Sequence, residues 1–157
     1  VCRVEDIGPI SIGSKDKDYY TLVPVYGRNS RLYTVVNSDK VVIRPIMTKQ
    51  ESDALIDEME NIDTLWIGDE KKREEIYKET MRTCDCKAWV QIIKTLYLRK
   101  MDRLARGKKV TSSDERYLHM AEDNLFGELA FSLKMPKEKV GEFISEKIMA
   151  KKAALGV

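Results

Sequence analysis

The hydrophobic pattern of the chain changes its period near Arg44-Pro45, and this change constrains the fold more than any other feature. Before it, short stretches such as Tyr20-Thr-Leu-Val-Pro-Val-Tyr26 are rich in β-branched and aromatic residues and are separated by Gly, Asn and Ser, which is typical of strands. After it, apolar residues recur at helical spacing. We therefore predict an α+β protein with two domains, residues 1–46 and residues 47–157.

The first domain is predicted to be a small antiparallel β-barrel or sheet. Strands are expected at residues 1–7, 19–26, 31–36 and 40–44. Gly27-Arg-Asn-Ser30 is expected to close a hairpin between the second and third strands. Pro24 favours an edge position for the second strand or marks a bulge in it, because proline cannot donate a ladder hydrogen bond. Since Val1-Cys2 already has a strand pattern, we expect a barrel that lacks its first strand.

The second domain is predicted to be an all-α bundle of about five helices. Helices are expected at residues 48–60, 70–82, 85–106 and 112–134, and from Pro136 onward. Thr48-Lys-Gln-Glu51 and Ser112-Ser-Asp-Glu115 are capping boxes, and Gly107 is suited to end the helix at residues 85–106. That helix carries a broad apolar surface formed by Trp89, Ile92, Ile93, Leu96, Tyr97, Met101 and Leu104. We expect this surface, Trp89 included, to face the core.

Charge is unevenly distributed along the chain. The formal net charge is only +2, yet residues 87–109 hold eight Lys and Arg against one Asp. Arg99, Arg103 and Arg106 follow the i, i+4, i+7 spacing of one helical face, with Lys100 alongside and Lys108-Lys109 in the next turn. Because salt screens charges beyond about 10 Å, a polyanion responds to such a local cluster more than to the total. The alternative is a solvated face whose long side chains cover the edge of the core.

Trp66 is the most suggestive single residue. It lies between Leu65 and Ile67 in a loop-like stretch and precedes the basic run Lys71-Lys-Arg73. An indole in this position could insert at a base step while the cations hold phosphates. The alternative is a tryptophan that packs against the bundle.

Few residues suggest catalysis, a metal site or a membrane segment. The single histidine, His119, lies within a predicted helix, and Cys84-Asp-Cys86 is too closely spaced for an ordinary structural disulfide. We expect reduced thiols, no enzymatic activity, and neither a metal ion nor a cofactor. No apolar run approaches the roughly 20 residues that span a bilayer. A cytoplasmic monomer without membrane contact is the expectation.

Several blocks of the sequence, in order, resemble the CarD/CdnL family of bacterial transcription regulators. These blocks are Gly8-Pro-Ile, Tyr19-Tyr-Thr-Leu-Val-Pro-Val-Tyr26, Val41-Val-Ile-Arg-Pro45, Ile92-Ile-Lys-Thr-Leu-Tyr-Leu-Arg-Lys100, Lys109-Val-Thr-Ser-Ser-Asp-Glu-Arg-Tyr117 and Glu128-Leu-Ala-Phe-Ser-Leu133. The resemblance implies a Tudor-like barrel that binds the RNA polymerase β subunit. It also implies a helical domain that contacts promoter DNA at the upstream edge of the −10 element, where a tryptophan supports the opening bubble.

The resemblance assigns roles to particular residues. Trp66 matches the family's tryptophan, and Lys72 and Arg73 match the basic pair that opens the next helix. Together with the charge pattern, the predicted DNA-contacting set is Trp66, Lys71, Lys72, Arg73, Arg99, Lys100, Arg103, Arg106, Lys108 and Lys109. The family's polymerase-binding positions have no clear match here, and the predicted polymerase-contacting set consists of substitutes on the barrel surface, Arg28, Arg31, Tyr33 and Arg44.

The expected function is therefore regulation of transcription by a protein that joins polymerase to promoter DNA and changes the stability of the open complex. Its DNA contacts are expected to be mainly independent of sequence. The chief alternative is an adaptor that binds polymerase or another protein without touching DNA. The acidic stretch Glu51–Asp85 motivates this alternative, because it would repel phosphates that faced it.

Overall fold

The computed structural model describes residues 1–27 and 29–156, which form two compact units, Val1–Pro45 and Ile46–Val157. The first unit contains strands and the second contains helices, so the protein is α+β. The division falls at the point where the hydrophobic period changes, one residue before the predicted boundary.

The N-terminal unit is a three-stranded antiparallel sheet. Its strands are β1 (Cys2–Gly8), β2 (Tyr19–Pro24) and β3 (Leu32–Val35), in the order β1-β2-β3. The register shifts between Val4 and Asp6, where β1 carries a bulge. One row across the sheet consists of Val4, Leu22 and Leu32, and the outer two of these side chains are about half exposed.

The expected antiparallel sheet is present, and the three strands described do not close into a barrel. Two other expectations for this unit are wrong. Residues 40–44 do not form a strand. Val41-Val-Ile43 has the β-branched composition of a strand, but a strand also needs a neighbour to satisfy its backbone, and the described residues supply none. The second error concerns the edge position expected for β2, which is central. Pro24 is tolerated there because it is the last residue of the strand.

The helical unit contains the five helices that the sequence predicts. They are α1 (Lys49–Glu58), α2 (Arg73–Arg82), α3 (Cys86–Ala105), α4 (Ser112–Leu133) and α5 (Val140–Leu155). Short 3₁₀ turns at Met59–Asn61, Glu70–Lys72 and Lys137–Lys139 extend α1 or precede α2 and α5. The most extensive packing joins α3 to α4. The largest fully buried apolar side chains are those of Ile56, Tyr77, Ile92, Leu96, Leu125, Leu129 and Val140.

Helix caps follow the sequence with one displacement. Thr48 and Glu51 form both hydrogen bonds of the predicted capping box, and the Asp85 carboxylate caps α3. At the start of α4, however, the cap is Thr111 and not Ser112: the Thr111 hydroxyl accepts from the Asp114 N–H at 3.2 Å. The shift places the Asp114 side chain inside the unit, where a buried carboxylate requires a cation.

Candidate nucleic-acid interface

The segment that carries Trp66 is fastened to α3 at its start. The Lys94 ammonium donates to the backbone carbonyls of Met59, Glu60 and Ile62, at 3.1 and 3.0 Å for the first two. It therefore caps the end of the turn that follows α1. The next residue of α3, Thr95, accepts the Leu65 N–H at 2.8 Å through its hydroxyl. Two consecutive residues of α3 thus fix the chain immediately before Trp66.

The far end of the segment is held as well. The Asp69 carboxylate accepts the Lys71 N–H at 2.9 Å and so caps the 3₁₀ turn Glu70–Lys72. The Glu70 carboxylate accepts from Arg99 of α3 at 3.1 Å. Thr95 and Arg99 are four residues apart on one face of α3. The chain from Leu65 to Glu70 therefore runs along that face with both ends fixed.

Trp66 projects from this fixed segment into solvent, with 86% of its surface exposed. The indole lies close to Gly68, since a Cβ built at that glycine would approach the ring carbon Cη2 to 2.3 Å. A larger residue at this position would push the exposed ring aside. The alternative in which Trp66 packs into the bundle is therefore wrong. Trp89, in contrast, is buried on α3 as predicted.

The basic residues that follow Trp66 differ in exposure and in bonding. Lys71 and Lys72 are exposed in the 3₁₀ turn, and within residues 1–27 and 29–156 their ammonium groups have no ion-pair partner. The Arg73 side chain is only 14% exposed and bonds to the Glu70 carboxylate and, at 2.7 Å, to the Tyr77 hydroxyl. Burial raises the pKa of Tyr77, and Arg73 opposes that rise. Arg73 is thus a structural residue that ties Glu70, in the turn before α2, to Tyr77 within α2.

Arg99 and Arg103 of α3 are partly buried, whereas Arg106, the C-cap of the helix, stays largely exposed, so the three do not form the solvent-facing row that their spacing suggested. Arg99 donates to Asp114 at 2.9 Å, and the Asp114 side chain is only 5% exposed. Arg103 donates to the Lys109 carbonyl at 2.8 Å. Arg106 pairs with Asp102 at 2.9 Å on the surface. Each guanidinium is therefore engaged within the helical unit.

The reason is that the arginines continue the core-facing stripe of α3. Ile92, Leu96, Arg99 and Arg103 are spaced by four, three and four residues, which places them on one face of the helix. The first two are fully buried, and the arginines extend their line toward α4. The remaining predicted cations, Lys100, Lys108 and Lys109, lie near the end of α3 or in the loop after it. None of these three ammonium groups has an ion-pair partner in the described part of the chain.

The apolar face at the end of α3 is correspondingly exposed. Tyr97, Leu98, Met101 and Leu104 are each between 42% and 58% exposed, although the sequence pattern placed Tyr97, Met101 and Leu104 toward the core. Sequence reasoning missed this surface because the apolar residues looked like a continuation of the Trp89 stripe. The sequence held one signal for the true orientation of α3, namely Asp114. A buried carboxylate at that position needs an arginine beside it, so Arg99 of α3 faces α4 and the exposed apolar residues face away.

The residues predicted to contact polymerase belong to the N-terminal unit. Arg31 pairs with Glu5 at 2.7 Å on the surface, and Tyr33 of β3 is 43% exposed. Arg44 donates to the Pro45 carbonyl at 3.1 Å. Arg28 lies outside the described residues. Strands β1 and β3 each have one free edge in the sheet described.

Other observations bear on the class of protein. Searches against protein-family models and against curated proteins find no match to this chain. None of the helices described is both long and apolar enough to cross a bilayer. Over residues 1–27 and 29–156, no three His, Cys, Asp or Glu side chains gather as a metal site, and none of Cys2, Cys84 and Cys86 is part of a disulfide bond.

Proposed function

We propose that the protein is a non-enzymatic transcription regulator whose N-terminal unit binds the β subunit of RNA polymerase and whose helical unit contacts promoter DNA. The DNA contact lies at the upstream edge of the −10 element and changes the stability of the open complex. The observation that carries this proposal is Trp66, an almost fully exposed indole on a segment fixed at both ends. The resemblance to the CarD/CdnL family supplies the partners.

A rigidly held aromatic side chain suits contact with a junction between paired and separating bases. Inserting or stacking an indole has an entropic cost if the loop must first become ordered, and the bonds from Lys94 and Thr95 to the segment remove most of that cost. Stacking of a base on an aromatic ring contributes about 1–3 kcal/mol and does not depend on which base is present. A sequence-tolerant effect on open-complex lifetime follows.

The DNA-contacting set is smaller than the sequence suggested. Arg73 and Arg99 stabilise the helical unit, and Arg103 and Arg106 bond to neighbours within it. The proposed surface therefore consists of Trp66, Lys71, Lys72, Lys100, Lys108 and Lys109. About two to four phosphate contacts would make the logarithm of affinity fall with the logarithm of salt concentration at a slope of about −2 to −4.

Polymerase binding is assigned to an edge of the sheet. Strand β3 carries Tyr33, follows Arg31 and has a free edge, so a strand from a partner could extend the ladder. We assign the N-terminal unit to a Tudor-like barrel on the family resemblance, which its antiparallel β1-β2-β3 order supports. Attachment to polymerase raises the effective concentration of the helical unit at the promoter, so individually weak DNA contacts suffice.

The first prediction tests the tryptophan. Trp66→Ala is expected to shorten the lifetime of the open complex on a single promoter several-fold. Because the indole is exposed, the unfolding free energy should change by no more than about 0.5 kcal/mol. Lifetime would be measured by competitor challenge of purified polymerase with the full-length variant, and stability by urea denaturation.

A matched control is Tyr97→Ala, which removes another exposed aromatic from the same unit. It should leave the lifetime close to that of the unmodified protein. An unchanged lifetime for Trp66→Ala, with polymerase still retained in a pull-down, would contradict DNA contact and favour the adaptor.

The adaptor alternative has its own supporting observation. The four exposed apolar residues at the end of α3 would suit a protein partner better than a phosphate backbone. Photo-crosslinking from position 72 within the polymerase–promoter complex distinguishes the two functions. A regulator that touches DNA gives a crosslink to the promoter, whereas an adaptor gives a crosslink to protein alone.

A further inference from the structure

A cavity in the helical unit has no role in the proposed function. It lies among the end of α1, α3, α4 and α5 and has a volume of about 540 Å³. Most of its lining is apolar, with Val90, Ile93, Leu125, Phe126, Ile144 and Ile148 forming the walls. This volume falls within the range of about 300–1,000 Å³ that is usual for small-molecule sites.

The polar groups of the cavity are not equivalent. Lys94 lines it, but its ammonium already donates to three backbone carbonyls. Glu60 also lines it and is paired with Lys152 at 2.8 Å. The remaining ionisable group is Glu122 of α4.

The Glu122 carboxylate lacks a firm partner. The nearest basic group is the His119 imidazole, whose Nδ1 lies 3.7 Å away on a largely exposed ring. Within the described residues the carboxylate accepts no hydrogen bond, and no lysine comes within ion-pair distance. Burial raises the pKa of Glu122, while the nearby charges of His119 and Lys100 lower it and that of Asp123 raises it. Glu122, whose side chain is 34% exposed, is thus a partly desolvated acid in the lining of an apolar cavity that opens to solvent.

We propose that this cavity binds a small amphipathic organic cation, with an apolar body against Ile93, Phe126 and Ile144 and an ammonium group against Glu122. An apolar ligand without charge would leave the carboxylate further desolvated, and an anion would be repelled by it. A cation instead forms a charge-assisted hydrogen bond in surroundings where water screens it less than at the surface. The proposal does not depend on contact with DNA or polymerase.

The test uses three probes of the same shape with different head groups, namely 4-phenylbutylamine, 4-phenylbutanol and 4-phenylbutyrate. Each is titrated into the full-length protein by calorimetry and by the NMR shifts of the isoleucine methyl groups. The amine is expected to bind at least about tenfold more tightly than the alcohol, as one charge-assisted hydrogen bond implies. The acid should bind most weakly. Equal binding of amine and alcohol, preference for the acid, or no binding of the amine at millimolar concentration would each overturn the proposal.

Variants then assign the selectivity to one side chain. Glu122→Gln keeps the shape of the residue and is expected to lower amine affinity to about that of the alcohol, with alcohol binding unchanged. Glu146→Gln is the matched control, because it removes the same charge from an exposed position of α5 outside the cavity lining. If both variants weaken the amine equally, general electrostatic attraction explains the binding and the site is wrong.

Discussion

Two glycines show how a single residue type can act in opposite ways in this protein. Gly107 follows the end of α3 with a φ of +68°, and the chain there forms a Schellman motif. The Lys108 N–H donates to the Arg103 carbonyl at 2.8 Å and the Gly107 N–H to the Leu104 carbonyl at 3.0 Å. Gly141, in the first turn of α5, has no such requirement.

The same substitution should therefore have opposite signs at the two sites. Gly107→Ala is expected to lower the unfolding free energy by about 1 kcal/mol, because a Cβ disfavours positive φ. Gly141→Ala is expected to raise it by about 0.5 kcal/mol, since alanine favours the helix and its Cβ would lie 3.7 Å from the Phe126 ring, an ordinary contact. Urea denaturation of both variants checks the pair. Destabilisation of similar size at both positions would contradict this account.

At the scale of elements, α3 organises the helical unit. Its buried stripe packs on α4, Lys94 and Thr95 hold the Trp66 segment, and Arg99 joins Glu70 to Asp114. Arg99 thereby connects the turn before α2 with the first turn of α4. A residue that looked like a DNA contact is instead part of the packing between helices.

Arg99 of α3 and Arg106 at the C-cap of that helix should therefore contribute differently to the unfolding free energy. Arg99→Ala should lower the unfolding free energy by about 2–4 kcal/mol, because it leaves the buried Asp114 carboxylate without its cation. Arg106→Ala breaks only an exposed pair with Asp102 and should cost less than about 0.5 kcal/mol. Denaturant unfolding measures both. Equal and small effects would mean that Arg99 is available to phosphates after all.

For the whole molecule, stability should depend on pH through groups whose pKa values move in opposite directions. Hydrogen bonds from Lys147 and Lys49 lower the pKa of Asp53, which links α1 to α5. A hydrogen bond from Arg73 likewise lowers the pKa of Glu70. Both carboxylates add stability that is present above their unfolded pKa values and is lost as the pH falls through the folded ones. Glu122 works in reverse, because burial raises its pKa.

The sign for Glu122 gives a direct prediction. Its raised pKa means that the folded state holds this proton more tightly, so the favourable contribution is complete below the usual value of 4.5 and is lost as the pH rises through the folded value. Glu122→Gln should therefore raise the unfolding free energy at pH 7 relative to the unmodified protein and leave it little changed near pH 4. Asp53→Asn should behave oppositely, with its loss greatest at pH 7. Urea titrations at both pH values test this, and an Asp53-like response at Glu122 would contradict it.

The N-terminal unit shows where local pattern is insufficient. The three strands that formed are those with a hairpin neighbour, and β2 pairs on both sides. Residues 40–44 had similar composition but do not pair with a strand among the described residues. Strand formation depends on pairing between distant segments, which composition does not reveal.

The amino-acid sequence alone determined the division near Arg44-Pro45, the five helices and most of their caps, because these depend on periodicity and on hydrogen bonds within a few residues. Only the tertiary structure decided which way α3 faces, that Trp66 is exposed, and that a partly buried Glu122 lines a cavity. Each of these three features depends on residues distant in sequence. Asp114 pairs with Arg99, Thr95 binds the N–H of Leu65, and α5 supplies part of the cavity wall. Spacing along one helix identifies a face, but burial and charge pairing with other helices decide whether that face is core or surface.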